Sequence, residues 1–87
     1  MSDPDLNTRI KRMMVDSLML KLEPEEIGDE TPLFTPDGLA LDSIDALELA
    51  VGLEKNFGVA TPNAEVARAA FLSVNTIAEY IRQNQAR

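Results

Sequence analysis

The sequence predicts an all-α protein, a four-helix bundle of three longer helices and one short helix with a long first loop. Two observations predict this fold class. Apolar residues recur at helical spacing in separate segments of the chain, and no segment alternates apolar and polar residues for long enough to indicate a strand. The chain has 87 residues, enough for one hydrophobic core, so residues 1–87 are predicted to form a single domain.

The first helix is predicted over residues 6–22. Its apolar positions are Leu6, Ile10, Met13, Met14, Leu18 and Leu22. Pro24 is expected to end this helix, because a proline ring disfavours helical geometry at the preceding residue. The loop that follows reaches Asp42, and long connections of this kind must be tied to the core. The apolar loop residues expected to do so are Leu33, Phe34, Leu39 and Leu41.

The second helix is predicted to begin near Ser43, with Asp42 as its cap and Asp45 inside its first turn. Its apolar residues cover more than one face, as in a helix packed between neighbours. They are Ile44, Leu47, Leu49, Ala50, Val51, Leu53 and Phe57. Gly58 is expected to stop the helix.

Two further helices are predicted in the last third of the chain. The short one is expected over Ala64–Ala70, after the turn residues 61–63. Ser73 is expected to cap the last helix. One apolar face of that helix is formed by Val74, Ile77, Ala78 and Ile81.

Composition excludes several classes of function. Fifteen acidic and eight basic residues give a formal net charge of −7, which repels nucleic acid. The chain has no cysteine and no histidine, so the familiar thiolate metal sites and serine hydrolase triads are excluded. No stretch has the ligand spacing of a calcium-binding loop, and no metal is expected. No apolar run approaches the roughly 20 residues of a membrane span, so a cytoplasmic monomer without membrane contact is expected.

Residues 38–49 (GLALDSIDALEL) resemble the phosphopantetheine-attachment site of acyl carrier proteins, in which a serine at the start of the second helix is modified. Residues 53–59 (LEKNFGV) and 73–81 (SVNTIAEYI) resemble later family segments in the same order, so the resemblance covers nearly the whole chain. It implies that Ser43 carries 4′-phosphopantetheine, with Asp42 as the preceding motif residue. A separate phosphopantetheinyl transferase would transfer this phosphopantetheine arm from coenzyme A to the Ser43 hydroxyl.

Elementary electrostatics also favours modification at Ser43. A helix start presents unpaired amide N–H groups and a partial positive charge, which stabilise a phosphodiester. The alternative is that Asp42 and Ser43 only cap the helix. The turn signal at residues 36–38 before them, the amphipathic helix after them and the matching flanks favour attachment.

Acidic residues on the second helix are predicted to bind partner enzymes. Asp45 and Glu48 are three residues apart and share one face, and Glu54 lies further along the helix. The resemblance implies that these acids meet basic patches on acyl-loading and acyl-processing enzymes. The alternative is a solvated polar face without a partner.

The resemblance also implies an acyl-chain pocket between the second helix and the segment after it. Its expected residues are Leu47, Val51, Phe71 and Leu72, all taken to face the bundle interior. Two departures from the family pattern indicate a specialised carrier. The first is on the second helix, where Ile44 stands in place of the leucine typical after the serine, and Lys55 and Asn56 interrupt the acids before Phe57. The second is the segment 64–72, which is slightly longer than usual and ends with the apolar bulk of Phe71 and Leu72.

The leading hypothesis is a carrier, not an enzyme, that holds acyl intermediates as thioesters for fatty-acid, lipid or polyketide-type biosynthesis. One alternative is a peptidyl or aminoacyl carrier protein. Another is a helical protein-interaction module that is never modified. A chain that begins at Met1 and ends after a fourth helix is expected to be free-standing, and a module excised from a larger protein would show the same pattern.

Overall fold

The computed structural model describes residues 4–84, apart from the side chains of residues 4, 5 and 64. Its α-helices are α1 (Pro4–Leu18), α2 (Ser43–Phe57), α3 (Ala64–Ala70) and α4 (Val74–Asn84), with a short 3-10 helix at Pro24–Glu26. Helices α1, α2 and α4 have 15, 15 and 11 residues and α3 has 7. Within residues 4–84 there is no strand, and the predicted all-α bundle with a long first loop is confirmed.

Helix α1 ends at Leu18, four residues before the predicted end, so the expectation that Pro24 stops it was wrong. The stop is Met19, whose φ of 53° is left-handed. The Leu20 N–H then donates to the Val15 carbonyl at 3.1 Å, which closes the helix end. Leu20 and Leu22 still pack against the core, so their apolar spacing reflects contacts of the loop rather than a longer helix. Pro24 instead begins the 3-10 helix.

The ends of α2 follow the local pattern of the sequence. Asp42 Oδ1 accepts from the Asp45 N–H at 3.0 Å, and Asp45 Oδ2 accepts from the Asp42 N–H at 3.1 Å. These reciprocal bonds form a capping box that fixes the first turn. Gly58 has a left-handed φ of 67° and its N–H donates to the Glu54 carbonyl at 3.0 Å. Both the predicted cap and the predicted stop are confirmed.

The first turns of α3 and α4 are also capped by side chains that are close in sequence. Asn63 Oδ1 accepts from the Val66 N–H at 2.9 Å and so caps α3, which spans the predicted residues. Ser73 Oγ accepts from the Thr76 N–H at 3.3 Å, which confirms Ser73 as the cap of α4.

The hydrophobic core lies where α1, α2 and α4 meet, with Phe71 inserted from the link between α3 and α4. Its largest fully buried side chains are Phe71, Ile10, Met14, Ile27, Leu33, Leu49, Leu53, Ile77, Ile81, Val59 and Val74. Helices α1 and α2 pack closely at Gly52, which is buried. A methyl group added there would lie 2.7 Å from Met13 Sδ and 2.8 Å from Ser17 Oγ, so both side chains would have to shift to admit a larger residue.

The first loop is tied to the core as expected. Leu33 and Leu41 are buried, and Phe34 and Leu39 pack against the core while partly exposed. The Leu33 N–H donates to the Leu72 carbonyl at 3.1 Å, and the Leu41 N–H donates to the Leu33 carbonyl at 2.9 Å. These contacts hold the chain immediately before Ser43 in a defined place.

Asp29 forms a polar junction between the loop, α1 and α4. Its Oδ1 accepts from Lys11 Nζ at 2.8 Å and from Asn7 Nδ2 at 3.1 Å. Its carbonyl accepts from the Asn75 N–H at 2.9 Å, in the first turn of α4. The hydrogen bond from Lys11, aided by that from Asn7, lowers the pKa of the Asp29 carboxyl below its ordinary value.

Candidate functional site

Ser43 is the first residue of α2 and its side chain is exposed. The chain reaches it directly from Leu41, which is buried, and Asp42, which is exposed. The hydroxyl therefore stands at the surface, on a backbone that is anchored on both sides. A macromolecular enzyme can reach this hydroxyl without opening the bundle.

The first turn of α2 suits a phosphate ester. The first bonds of the helix use the amides of Asp45 and Ala46, which donate to the side chain and the carbonyl of Asp42. The amides of Ser43 and Ile44 precede these bonds at the positive end of the helix dipole. A phosphate on Ser43 Oγ would lie at this end, where negative charge is stabilised.

The turn before the site depends on a glycine whose role sequence reasoning missed. A methyl group at Gly38 would overlap the carbonyl oxygen of Pro32, because the two backbone segments touch there. The turn is closed by Thr35, whose carbonyl accepts from the Gly38 N–H at 3.0 Å and the Ala40 N–H at 3.1 Å. Ala40 itself has a left-handed φ of 54°. The sequence signalled a turn at residues 36–38, but the contact with Pro32 is not local.

The three predicted partner-binding acids differ in their surroundings. Asp45 is half-buried, and its carboxylate accepts the capping bond from Asp42. Glu48 and Glu54 are exposed. Asp45 therefore has a structural task at the start of α2, whereas the two glutamates are open to solvent.

The expectation that the predicted pocket residues all face the interior was wrong for three of four. Leu47 is 66% exposed, Val51 46% and Leu72 60%, whereas Phe71 is fully buried. The inner side of α2 is occupied instead by residues that are buried: Leu49, Gly52, Leu53 and Phe57. A helix with apolar residues on several faces does not reveal from its own sequence which face its neighbours will cover.

Leu47 and Val51 belong to an exposed apolar stripe on the outer side of α2. Its third member is Ile44, which is also largely exposed, and the spacing of three and then four residues places all three on one face. We refer to Ile44, Leu47 and Val51 as the outer stripe. It begins beside Ser43 and runs along the same helix as the acidic residues.

Two features are absent from the described part of the chain. None of its helices has the length and apolar character needed to cross a membrane. Among the same residues, no group of three or more acidic, histidine or cysteine side chains is placed to hold a metal ion.

Comparison with known proteins places this site in a family context. A family model described as "Phosphopantetheine attachment site" matches residues 9–81, which include all of α2 and α3. The chain is also similar to a protein named "Acyl carrier protein" from Wolinella succinogenes. The two are 34% identical over 76 residues, which cover 87% of this chain and 92% of the relative.

Proposed function

Because the chain belongs to the phosphopantetheine-attachment family of acyl carrier proteins, we propose that Ser43 is the residue that carries its 4′-phosphopantetheine. The cofactor is a covalent 4′-phosphopantetheine, as in the family, and what is proposed is the attachment residue. The observation that supports it is the exposed Ser43 hydroxyl at the start of α2.

The other serines that the structure describes are less suitable. Ser17 is half-buried in α1, and its Oγ lies against Gly52. Ser73 is buried, and its Oγ is occupied in capping α4. Ser43 is thus the described serine whose hydroxyl is accessible. We assign activation of that hydroxyl to a separate phosphopantetheinyl transferase, on the basis of membership in the family.

Intact mass measurement tests the assignment. The full chain, incubated with coenzyme A and a promiscuous transferase, should gain the mass of one phosphopantetheine. Ser43→Ala should abolish the gain while the helical circular dichroism stays unchanged, and Ser17→Ala should still be loaded. A modified Ser43→Ala protein would overturn the attachment site. A wild-type chain without any gain would favour the unmodified interaction module.

The proposed activity is that of a carrier for acyl groups. When bound, the arm supplies a terminal thiol that holds an acyl group as a thioester. The chain then presents this cargo to acyl-loading and acyl-processing enzymes of fatty-acid, lipid or polyketide-type biosynthesis, and is not itself a catalyst. We place this function in a cytoplasmic, monomeric protein whose single acyl carrier domain spans residues 1–87.

Partner enzymes are proposed to approach the chain at α2. The exposed carboxylates of Glu48 and Glu54 lie on the same helix as Ser43, and Asp45 lies in its first turn. Exposed acids accelerate the encounter with a basic surface more than they hold the final complex. A basic patch on the enzyme would therefore guide the arm toward the catalytic centre.

The acyl chain is proposed to lie against the apolar residues Leu47, Val51 and Leu72, with Phe71 as the inner boundary. The first three are exposed, so a bound chain would cover them from outside before it entered the core. Phe71 is fully buried, and deeper entry would require this ring to move. Each methylene removed from water contributes about 0.8 kcal/mol, so partial burial of a medium chain adds a few kcal/mol.

A chain-length series of hydrolysis-resistant acyl forms tests this placement. The melting temperature should rise with the length of the acyl chain until that chain covers the whole apolar surface formed by Leu47, Val51 and Leu72. Phe71→Ala should extend that limit to longer chains, although the cavity it leaves lowers the basal stability. Leu47→Asn, at an exposed position, should reduce the gain without that cost. Equal melting temperatures for bare and acylated protein would favour a peptidyl or aminoacyl carrier.

A further inference from the structure

A concave surface lies between α1 and the C-terminal end of α2. This cleft has a volume of about 220 Å³ and is lined by Arg9, Arg12, Met13, Asp16, Asn56 and Phe57. Phe57 ends α2, whereas Ser43 begins it. At a rise of 1.5 Å per residue, the cleft is therefore about 20 Å from the attachment site. We call it the α1–α2 cleft.

The α1–α2 cleft combines an apolar floor with a cationic rim. Met13 and Phe57 are buried beneath it, and Arg9 and Arg12 are exposed at its edge. The two arginines are three residues apart on α1 and so are neighbours on one face. The Arg9 guanidinium lies over the Phe57 ring, 4.9 Å from the ring centroid. A guanidinium held in this way keeps a planar set of N–H donors for a carboxylate.

The charge at this cleft is opposite to that of the chain as a whole, which is −7. Lys11 on the same helix is paired with Asp29 at 2.8 Å. Among the side chains that the structure describes, neither Arg9 nor Arg12 forms an ion pair. Asp16 is the acid among the lining residues, and it lies one turn beyond Arg12.

We propose that the α1–α2 cleft binds an acidic segment of a partner protein, with one carboxylate held by Arg9 and Arg12. Charge complementarity selects an anionic occupant, and charge-assisted bonds from arginine to carboxylate are strong and directional. The cleft volume of about 220 Å³ suits a single side chain, because it is smaller than the roughly 300 to 1,000 Å³ typical of pockets for whole small molecules. Binding at the α1–α2 cleft would involve neither Ser43 nor the phosphopantetheine arm, so this interaction is separate from the carrier function.

Titration of the full chain with a short poly-glutamate peptide tests the proposal. The side-chain Nε–H signals of the arginines are followed by nuclear magnetic resonance at low salt. Arg9 and Arg12 should shift and saturate, while a poly-glutamine peptide of equal length should shift neither. The double variant Arg9→Gln, Arg12→Gln should weaken binding about tenfold or more, as expected for loss of charge-assisted bonds.

Two further variants separate specific binding from general charge effects. The matched double variant Arg68→Gln, Arg82→Gln makes the same change in net charge on α3 and α4, and should leave the affinity nearly unchanged. Asp16→Asn removes the carboxylate that competes for the cleft and should tighten binding, a result that misfolding cannot produce. Arg9→Lys keeps the positive charge but lacks the planar set of N–H donors. Its affinity for the poly-glutamate peptide should lie between those of the wild type and Arg9→Gln.

Three results would overturn the proposal. The first is a titration without saturation at Arg9 and Arg12. The second is an equal loss of affinity in the two double variants, which would indicate attraction by net charge alone. The third is a failure of Asp16→Asn to tighten binding. Arm loading at Ser43, measured by mass in the same variants, should be unaffected, so failure here is distinguishable from failure of the carrier function.

Discussion

Replacement of Asp42 by alanine and by asparagine separates capping from charge at the start of α2. The Asp42 carboxylate accepts the Asp45 N–H at 3.0 Å, and the Asp42 N–H donates back to Asp45 at 3.1 Å. Alanine removes the acceptor. Asparagine keeps an acceptor oxygen in the same place but removes the negative charge.

The expected magnitudes follow from the capping bond. Loss of an N-cap acceptor costs about 1 kcal/mol, whereas asparagine caps as well as aspartate does. For a domain of this size, Asp42→Ala should lower the melting temperature by about 4 to 8 °C. Asp42→Asn should leave it close to that of the wild type.

The rate at which phosphopantetheine is attached to Ser43 should follow the same order as the melting temperatures. Because Ser43 is the residue after the cap, fraying of the first turn in Asp42→Ala leaves the hydroxyl poorly placed for the transferase. Initial rates of mass gain, measured well below the melting temperature, should therefore fall for Asp42→Ala and be retained for Asp42→Asn. Circular dichroism melting of the same samples gives the stability.

Two results would refute this reasoning. If Asp42→Asn melted normally but loaded as slowly as Asp42→Ala, the transferase would need the carboxylate itself. If Asp42→Ala melted like the wild type, the capping box would not stabilise α2. In either case the role of Asp42 as a cap that positions Ser43 would have to be abandoned.

Three further perturbations test the charge, the polar junction and the packing. Reversal of charge at the exposed Glu48 and Glu54, which leaves the capping box intact, should slow the association with partner enzymes at low salt, with a smaller effect at high salt, as stopped-flow kinetics would show. Asp29→Asn should lower the stability near neutral pH, since its lowered pKa reflects bonds made by the ionised form. Gly52→Ala should destabilise by about 1 kcal/mol in urea unfolding, because overpacking outweighs the helix-propensity gain of alanine.

Each of these perturbations has a control. Glu65→Lys on α3 alters charge away from α2 and should leave partner kinetics unchanged; equal slowing would contradict a localised acidic face. The stability difference due to Asp29 should be constant above the pKa of the carboxyl in the unfolded chain, near its ordinary value of 3.8, and should disappear as pH falls through the lower pKa of the folded state. A constant difference across that range would mean that Lys11 does not stabilise the ionised form. A more stable Gly52→Ala protein would show that Met13 and Ser17 yield to the methyl group.

The features of the fold that could be predicted from sequence are those set by neighbours along the chain. The Asp42 cap with Asp45, the Gly58 stop and the Ser73 cap each depend on bonds within a few residues. Local backbone chemistry therefore determines where α2 and α4 begin, and hence that Ser43 stands at a helix start. The end of α1 escaped this reasoning, because Met19 takes a left-handed conformation that usually favours glycine.

In the candidate site, too, some features are set by neighbours along the chain and others by tertiary packing. The sequence by itself determined an all-α domain and a serine at the start of α2, since periodicity and capping are local properties. Only the tertiary structure decided that Leu47 and Val51 lie outside while Leu49 and Leu53 lie inside, and that Arg9 reaches Phe57 across α1 and α2. Which face of a helix is covered depends on helices that are distant in sequence, and residues around α2 alone do not carry that information.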